Sequence, residues 1–360
     1  MANHPTSRKR QLRVQRQHRR AHLRVLRQRA TLKVRRRHFG RFGRSHVAHR
    51  PPGKSGWAGT GLRPYQKLRT RFPAKLDLIG NTKESVEFFS ALKAKILYDP
   101  ADEVVIDHGL AKSISPDAAL VLIAELMRAN KINPGCRLAG AIANNPHVDG
   151  LLGEIGYFDY FTGASWQKAT NHTKLFLHHK CGNRTQGIVV KELIEHFAPV
   201  LNLSSIERKT LYIAIVECME NVLLHAYPRR HSEPHLINQW WSLGYRDSST
   251  HEVSFCFFDQ GIGIPNTIRT RFKDRLPLLS PKDNDLILRA VMEGHYSRTK
   301  LQTRGKGLPA LKAFIDHASS GEVVIITENS KCTFAKGVAP SSETLPYKFG
   351  GTLISWTLRT

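Results

Sequence analysis

From residue 76 onward the apolar positions fall into two alternating periods. Val86, Phe89, Leu92 and Ile96 recur at helical spacing and predict a helix over 83–98. Val104, Val105 and Ile106 form a short apolar run between Glu103 and Asp107, which predicts a strand. Ala118, Leu120, Leu122, Ile123 and Leu126 give a second helix, over 117–130, an apolar side. Ser115 stands at its N-cap and Pro116 in its first turn. A strand over 137–140 and a helix over 145–155 follow, and the alternation predicts a small α/β unit over 76–165.

A second pattern starts near Thr173, with a strand over 173–177, helices over 186–200 and 206–225, and strands over 236–241 and 252–258. A helix over 306–318 and strands over 322–327 and 351–358 complete it. In the last strand Leu353, Ser355 and Thr357 alternate with Ile354, Trp356 and Leu358. The expected architecture for 173–360 is an α+β domain, with helices on one face of a mixed, mostly antiparallel sheet. Trp240 and Trp241 fall on a strand, where core packing is their expected role.

Residues 1–75 carry no such pattern. Leu23, Val25, Leu26, Leu32 and Val34 are sparse among Arg, Gln and His, and Pro51, Pro52, Gly53, Gly56, Gly59 and Gly61 make a flexible connector. The segment is expected to be a disordered basic arm and linker. Charge sharpens this division. The chain carries a net +26, yet residues 1–76 hold 23 Lys and Arg and no Asp or Glu. The remainder has 32 bases against 29 acids and is nearly neutral.

The arm admits three readings. Residues 1–50 fit non-specific nucleic-acid attachment through phosphate neutralisation; Phe39, Phe42 and Trp57 are too few for much base stacking. They also fit a solvated tail without a partner, or an over-extended gene start. No apolar run approaches 18 residues, so neither a membrane-spanning helix nor a membrane partner is expected. The basic N-terminus lacks the apolar core of a secretory signal. Cys136, Cys181, Cys218, Cys256 and Cys332 are scattered without a CxxC pair, which points to a reducing cytoplasm.

Four separated motifs carry the candidate chemistry. Glu217, Asn221 and His225 are four residues apart and share one helical face, followed by Ala226 and Tyr227. The Asn221 amide oxygen is a hard ligand suited to Mg²⁺, and the Glu217 carboxylate can orient or deprotonate a nucleophile. Next, the apolar strand ending in Phe257 and Phe258 delivers Asp259 into a turn with Gly261 and Gly263. Asp259 is an acceptor for an exocyclic amine such as that of adenine, and the glycines allow close backbone approach. Gly305, Lys306 and Gly307 then open a helix whose N-terminus suits phosphate, with Arg298 upstream as a further cation. Lastly, Gly351 and Thr352 open the final strand, where the Thr352 hydroxyl can bond near a base. The glycine turns fit neither the P-loop nor the dinucleotide-binding spacing.

In this order the four motifs resemble those of the GHKL ATPase superfamily, which joins histidine kinases, gyrase and heat-shock chaperones. The His-Ala-Tyr ending at Tyr227 is most similar to the anti-sigma-factor serine kinases. The resemblance implies ATP and Mg²⁺ as cofactors. By it Asn221 holds the metal, Glu217 is the base and Asp259 binds adenine. Gly261, Gly263, Gly305, Gly307 and Thr352 line the nucleotide, and 266–303 form a mobile lid. Pro309 departs from the family's usual small or apolar residue, but a helix tolerates Pro in its first turn. No phospho-acceptor His box is found, since His178 and His179 follow a strand and are expected at the surface.

Upstream, Val104 to Asp107, Ser113 to Ser115 and the helix after Pro116 resemble a STAS domain, the fold of anti-sigma-factor antagonists. That resemblance implies phosphorylation of Ser115 or Ser113, although Pro116 and Asp117 replace the family's usual Gly. The expected function is ATP-dependent regulation by a serine/threonine protein kinase of the anti-sigma type. Its expected partner is a STAS or sigma-factor-like regulatory protein, and a homodimer is allowed. The alternatives are an ATP-gated switch held on nucleic acid by the arm, and a non-catalytic ATP-binding adaptor.

Overall fold

The computed structural model describes residues 65–98, 101–141, 143, 145–161, 175–176, 180–228, 237–247, 251–271, 281–293, 308–317 and 321–359. The basic arm before residue 65 lies outside them, as do His178 and His179. Gln66–Leu97 and Ala101–Thr360 form one compact mixed α/β unit.

Its first half begins with β1 (Lys67–Arg71), ahead of the expected start at residue 76. After β2 (Lys75–Leu76) and helix α1 (Thr82–Tyr98), β3 (Glu103–Asp107) pairs with β1 in parallel. β4 (Ser113–Ile114) pairs with β2, helix α2 (Pro116–Ile132) comes next, and β5 (Arg137–Ala141) completes a parallel sheet ordered β1-β3-β5. Helix α3 (Pro146–Glu154) is capped by Asn145, whose side chain accepts from the His147 amide.

The second half is an eight-stranded sheet in which every described pairing is antiparallel. β6 (Leu175–Phe176) and β7 (Lys180–Gly182) lie against β8 (Trp240–Asp247), which pairs with β9 (Glu252–Asp259). β10 (Glu322–Thr327), β11 (Ser330–Ala335), β12 (Ser341–Thr344) and β13 (Thr352–Arg359) give the order β12-β11-β10-β13-β9-β8. The strand expected over 236–241 therefore begins only at Trp240 and runs on to Asp247. Its apolar signal is broken by Ser242, Gly244 and Arg246, so the sequence period ends before the ladder does.

Period-two alternation sends the two faces of this sheet into different cores. Val253, Phe255, Phe257, Ile354, Trp356 and Leu358 meet helix α4 (Gly187–Leu201) and helix α5 (Ser205–Asn221) on the front. Trp241, Leu243, Cys256, Phe258, Val324, Ile326 and Leu353 face the other way and share one core with the parallel half. Helix α2 lies on that back face. Its residues from Pro116 to Leu126 are all buried, and the Trp241 Nε1 donates to Met127 Sδ at 3.2 Å. The expectation of a single apolar side on this helix is corrected. The continuous run from Ala118 to Ala124 is apolar all round, as a helix covered on both sides must be. Ser115 holds the N-cap position, but its hydroxyl makes no capping bond. No helix among the described residues is long and apolar enough to cross a membrane.

Candidate functional site

Helix α5 is started by a capping box. The Ser204 hydroxyl accepts from the Glu207 amide, and the Glu207 carboxylate accepts from the Ser204 amide. The helix expected over 206–225 does not run through as α-helix. It ends at Asn221 and passes into a π-helical turn, Val222–Ala226. A π turn widens the helix by one residue and re-aims the chain beyond it. Glu217 and Asn221 stay on the α-helical part, half-buried, while Ala226 and Tyr227 are delivered onto the turn after β9.

That turn is tied to the helix end at several points. The Ile262 amide donates to the Ala226 carbonyl at 2.9 Å, and the Gln260 amide to the Tyr227 hydroxyl at 2.9 Å. The Tyr227 hydroxyl in turn donates to the Gln239 carbonyl at 2.9 Å. The Thr267 hydroxyl reaches the His225 carbonyl at 3.4 Å, and the Arg271 guanidinium donates to the Leu224 carbonyl. Gly261 makes the approach possible, because a Cβ there would stand 2.5 Å from the Ala226 Cβ.

Asp259 ends β9 at the centre of this junction. It is 6% exposed, and its Oδ1 accepts from the Gly261 amide at 2.7 Å. Burial pushes its carboxyl up to about 7, against the opposing pull of the Gly261 amide and the Thr352 hydroxyl. Thr352 is its register partner across β9 and β13. Cys218, one residue after Glu217, has its thiol pushed well up, first by burial and then by the charges of Glu217 and Asp259. Both carboxylates are therefore close enough to act on the same buried group.

Thr327, at the end of β10, carries no motif of its own in the sequence. It is fully buried, donates to the Gly351 carbonyl at 2.8 Å, accepts from the Ile264 amide at 3.3 Å and lies 3.4 Å from the Thr352 hydroxyl. It thus joins the turn after Asp259 to the start of β13. The only sequence signal is a hydroxyl where an apolar strand ends.

Gly351 is the tightest point. Its φ is +127°, and a Cβ would fall 2.2 Å from the Asp259 carbonyl oxygen. Gly351→Ala is expected to cost roughly 2–3 kcal/mol through backbone strain and displacement of β9. Chemical denaturation should show this as a lower midpoint at unchanged slope.

The structure therefore brings together Asp259, Gly261, Gly263, Thr352 and the helix that carries Glu217 and Asn221. Arg298, Gly305, Lys306 and Gly307 lie outside the described residues. Helix α8 (Pro309–His317) begins just after that glycine turn, with Pro309 as its first residue. Within 266–303 the described stretches hold parts of two helices. Helix α6 (Ile264–Arg271) and helix α7 (Asp283–Met292) are linked by an Arg269–Asp283 ion pair of 2.6 Å, and Ile268 packs with Leu286 and Ala290. Among the described residues no group of three His, Cys, Asp or Glu side chains stands ready to hold a metal ion.

No protein-family model matches the chain, and comparison with curated proteins finds no match.

Proposed function

We propose that this protein binds ATP at the junction of β9, β13 and helix α5. On this reading it is a regulatory phosphotransferase of the anti-sigma serine/threonine kinase type, within the GHKL superfamily. The observation that carries the reading is the convergence of Asp259, Gly261 and Thr352 on the end of the helix bearing Glu217 and Asn221. The ionised Asp259 carboxylate accepts from the adenine amine, and the glycines let the base approach the backbone.

The donor set fits Mg²⁺ as a nucleotide-borne ion. Asn221 would supply one hard oxygen, and such ions take their remaining ligands from phosphate oxygens and water. When bound, the ion neutralises phosphate charge. Glu217 takes the proton of an incoming hydroxyl as its oxygen bonds to the γ-phosphorus, while the bond to the ADP oxygen breaks. The acceptor belongs to another molecule. Asp259 faces the front of the sheet with Phe257, whereas Ser115 lies with Ser254 and Ser355 on the back. The sheet stands between them, which favours an acceptor on another molecule over Ser115 of the same chain.

A second reading, an ATP-gated switch, is favoured by Gln260. This fully buried residue sits beside Asp259 and reaches across to helix α2, where its Nε2 donates to the Ala124 carbonyl at 2.8 Å. Glu125 and Arg128 form a buried ion pair of 2.9 Å on the same helix. Gln260 thus joins the turn after Asp259 directly to the parallel half, a route by which nucleotide occupancy could be felt there.

The test is incubation of the purified chain with γ-labelled ATP, Mg²⁺ and a STAS-type protein as candidate acceptor. Label on the added protein supports the kinase, and free phosphate alone supports the switch. Absence of nucleotide binding at millimolar Mg-ATP in a folded sample overturns both.

A further inference from the structure

The back face of the eight-stranded sheet carries a polar row that the nucleotide site does not use. Strand register aligns Ala335, Glu322, Thr357, Ser254 and Tyr245 across β11, β10, β13, β9 and β8. Further along the strands the same face reads Ile326, Leu353, Phe258 and Trp241, all apolar and packed in the core shared with α2. The face thus changes from apolar to hydroxyl and carboxylate. Ser115 and Asp117, at the start of helix α2, and the turn containing Asp77, Ile79 and Gly80 close over the polar row. They leave a cavity of about 390 Å³, which Ser355, Glu252 and Arg359 also line.

The cavity is acidic in a region of the chain that is otherwise nearly neutral. Asp77, Asp117, Glu252 and Glu322 face it, against the single Arg359 guanidinium. Two of these carboxylates are already matched: Glu252 by Arg359 at 3.2 Å and Asp77 by Lys75 at 3.3 Å. Asp117 is 2% exposed, and its Oδ2 has no hydrogen-bond partner. Burial pushes its carboxyl up to about 6, against a smaller opposing pull from the neighbouring Ser115 hydroxyl, and the Asp77 charge adds to the rise. A buried carboxylate in that position lacks a counter-charge. The acids are not gathered for a single metal ion, since no metal-holding trio exists among the described residues. They are spread along a hydroxyl-lined floor, which suits an extended molecule with separated donors.

We propose that this cavity binds a small organic cation carrying ammonium or guanidinium groups, with its charge on Asp117 and Glu322 and its remaining donors on the Ser254, Ser355 and Thr357 hydroxyls. The site is independent of the nucleotide reading, because it lies on the opposite face of the sheet.

The probe is agmatine, which has a guanidinium at one end and an ammonium at the other, titrated calorimetrically into the full chain at pH 7.5. The uncharged 1,5-pentanediol serves as control. The expected result is saturable one-to-one binding of agmatine and none of the diol. Asp117→Asn and Glu322→Gln should each weaken agmatine roughly tenfold or more, as loss of a charged contact does, while leaving ATP affinity at the wild-type value. Should Asp117→Asn fail to fold, Glu322→Gln on the sheet floor carries the test alone. No agmatine binding at millimolar concentration, equal binding of the diol, or binding undiminished in the folded variants would each overturn the proposal.

Discussion

Asp259→Asn is expected to lower ATP affinity roughly 10- to 100-fold while the protein stays folded and, above pH 7, melts no lower than wild type. The affinity loss comes from replacing a charged acceptor, worth about 1.5–3 kcal/mol, with a neutral amide. The retained stability comes from burial. The carboxyl stands at about 7 in the folded chain, against an ordinary value of 3.8. A carboxyl raised on folding holds its proton more tightly in the native state. Between about pH 4 and pH 7 the unfolded chain therefore binds fewer protons, and stability falls as pH rises through that window. Holding the group ionised above pH 7 costs on the order of 4 kcal/mol. The Asn variant lacks this cost, and its Oδ1 can still accept from the Gly261 amide. Melting curves from pH 4 to pH 8 should show a smaller decline in the variant. Nucleotide titrations over the same range should show wild-type affinity falling as Asp259 is protonated, and a flatter profile for Asn. Unchanged ATP affinity in the variant would remove Asp259 from the nucleotide site.

Glu217→Ala is expected to keep Mg-ATP binding within a few-fold and to lose turnover by about 10²–10⁴-fold, the usual range for a positioned general base. Asn221→Ala, one helical turn on, should behave in the opposite way and lose Mg-ATP affinity. The two residues share one face of helix α5 and similar half-burial. A merely structural role would give the two variants alike phenotypes. Nucleotide titration together with single-turnover phosphate release separates them. Turnover equal to wild type in Glu217→Ala would refute its assignment as base.

Much of the front half of this protein was legible because its signals are local. Alternation in β13 assigns Ile354, Trp356 and Leu358 to one side, and the structure places them in the front core. Asp259 after an apolar strand and Gly351 before another mark strand ends, and the register pairs Thr352 with Asp259. Helix α8, expected over 306–318, starts at Pro309, where ring geometry favours a first-turn position. The end of helix α5 was not legible. A five-residue π turn after Asn221 has no period of its own in the sequence, and it is set by the contacts of Ala226 and Tyr227 with the β9 turn.

The two periodic patterns, the concentration of charge in the first residues and the order of the four motifs can all be read along the chain. These are matters of residue spacing and composition, which need no partner elements to be read. That the two halves share one core emerges only from the packing of the folded chain. Helix α2 presents an apolar surface in every direction, and spacing alone does not say that a second sheet covers its far side. The same packing decided the place of Thr327, Gln260 and the acidic cavity. Ser254, Glu322 and Asp117 are far apart in the chain, and they meet because strand register and the packing of α2 bring them to one face.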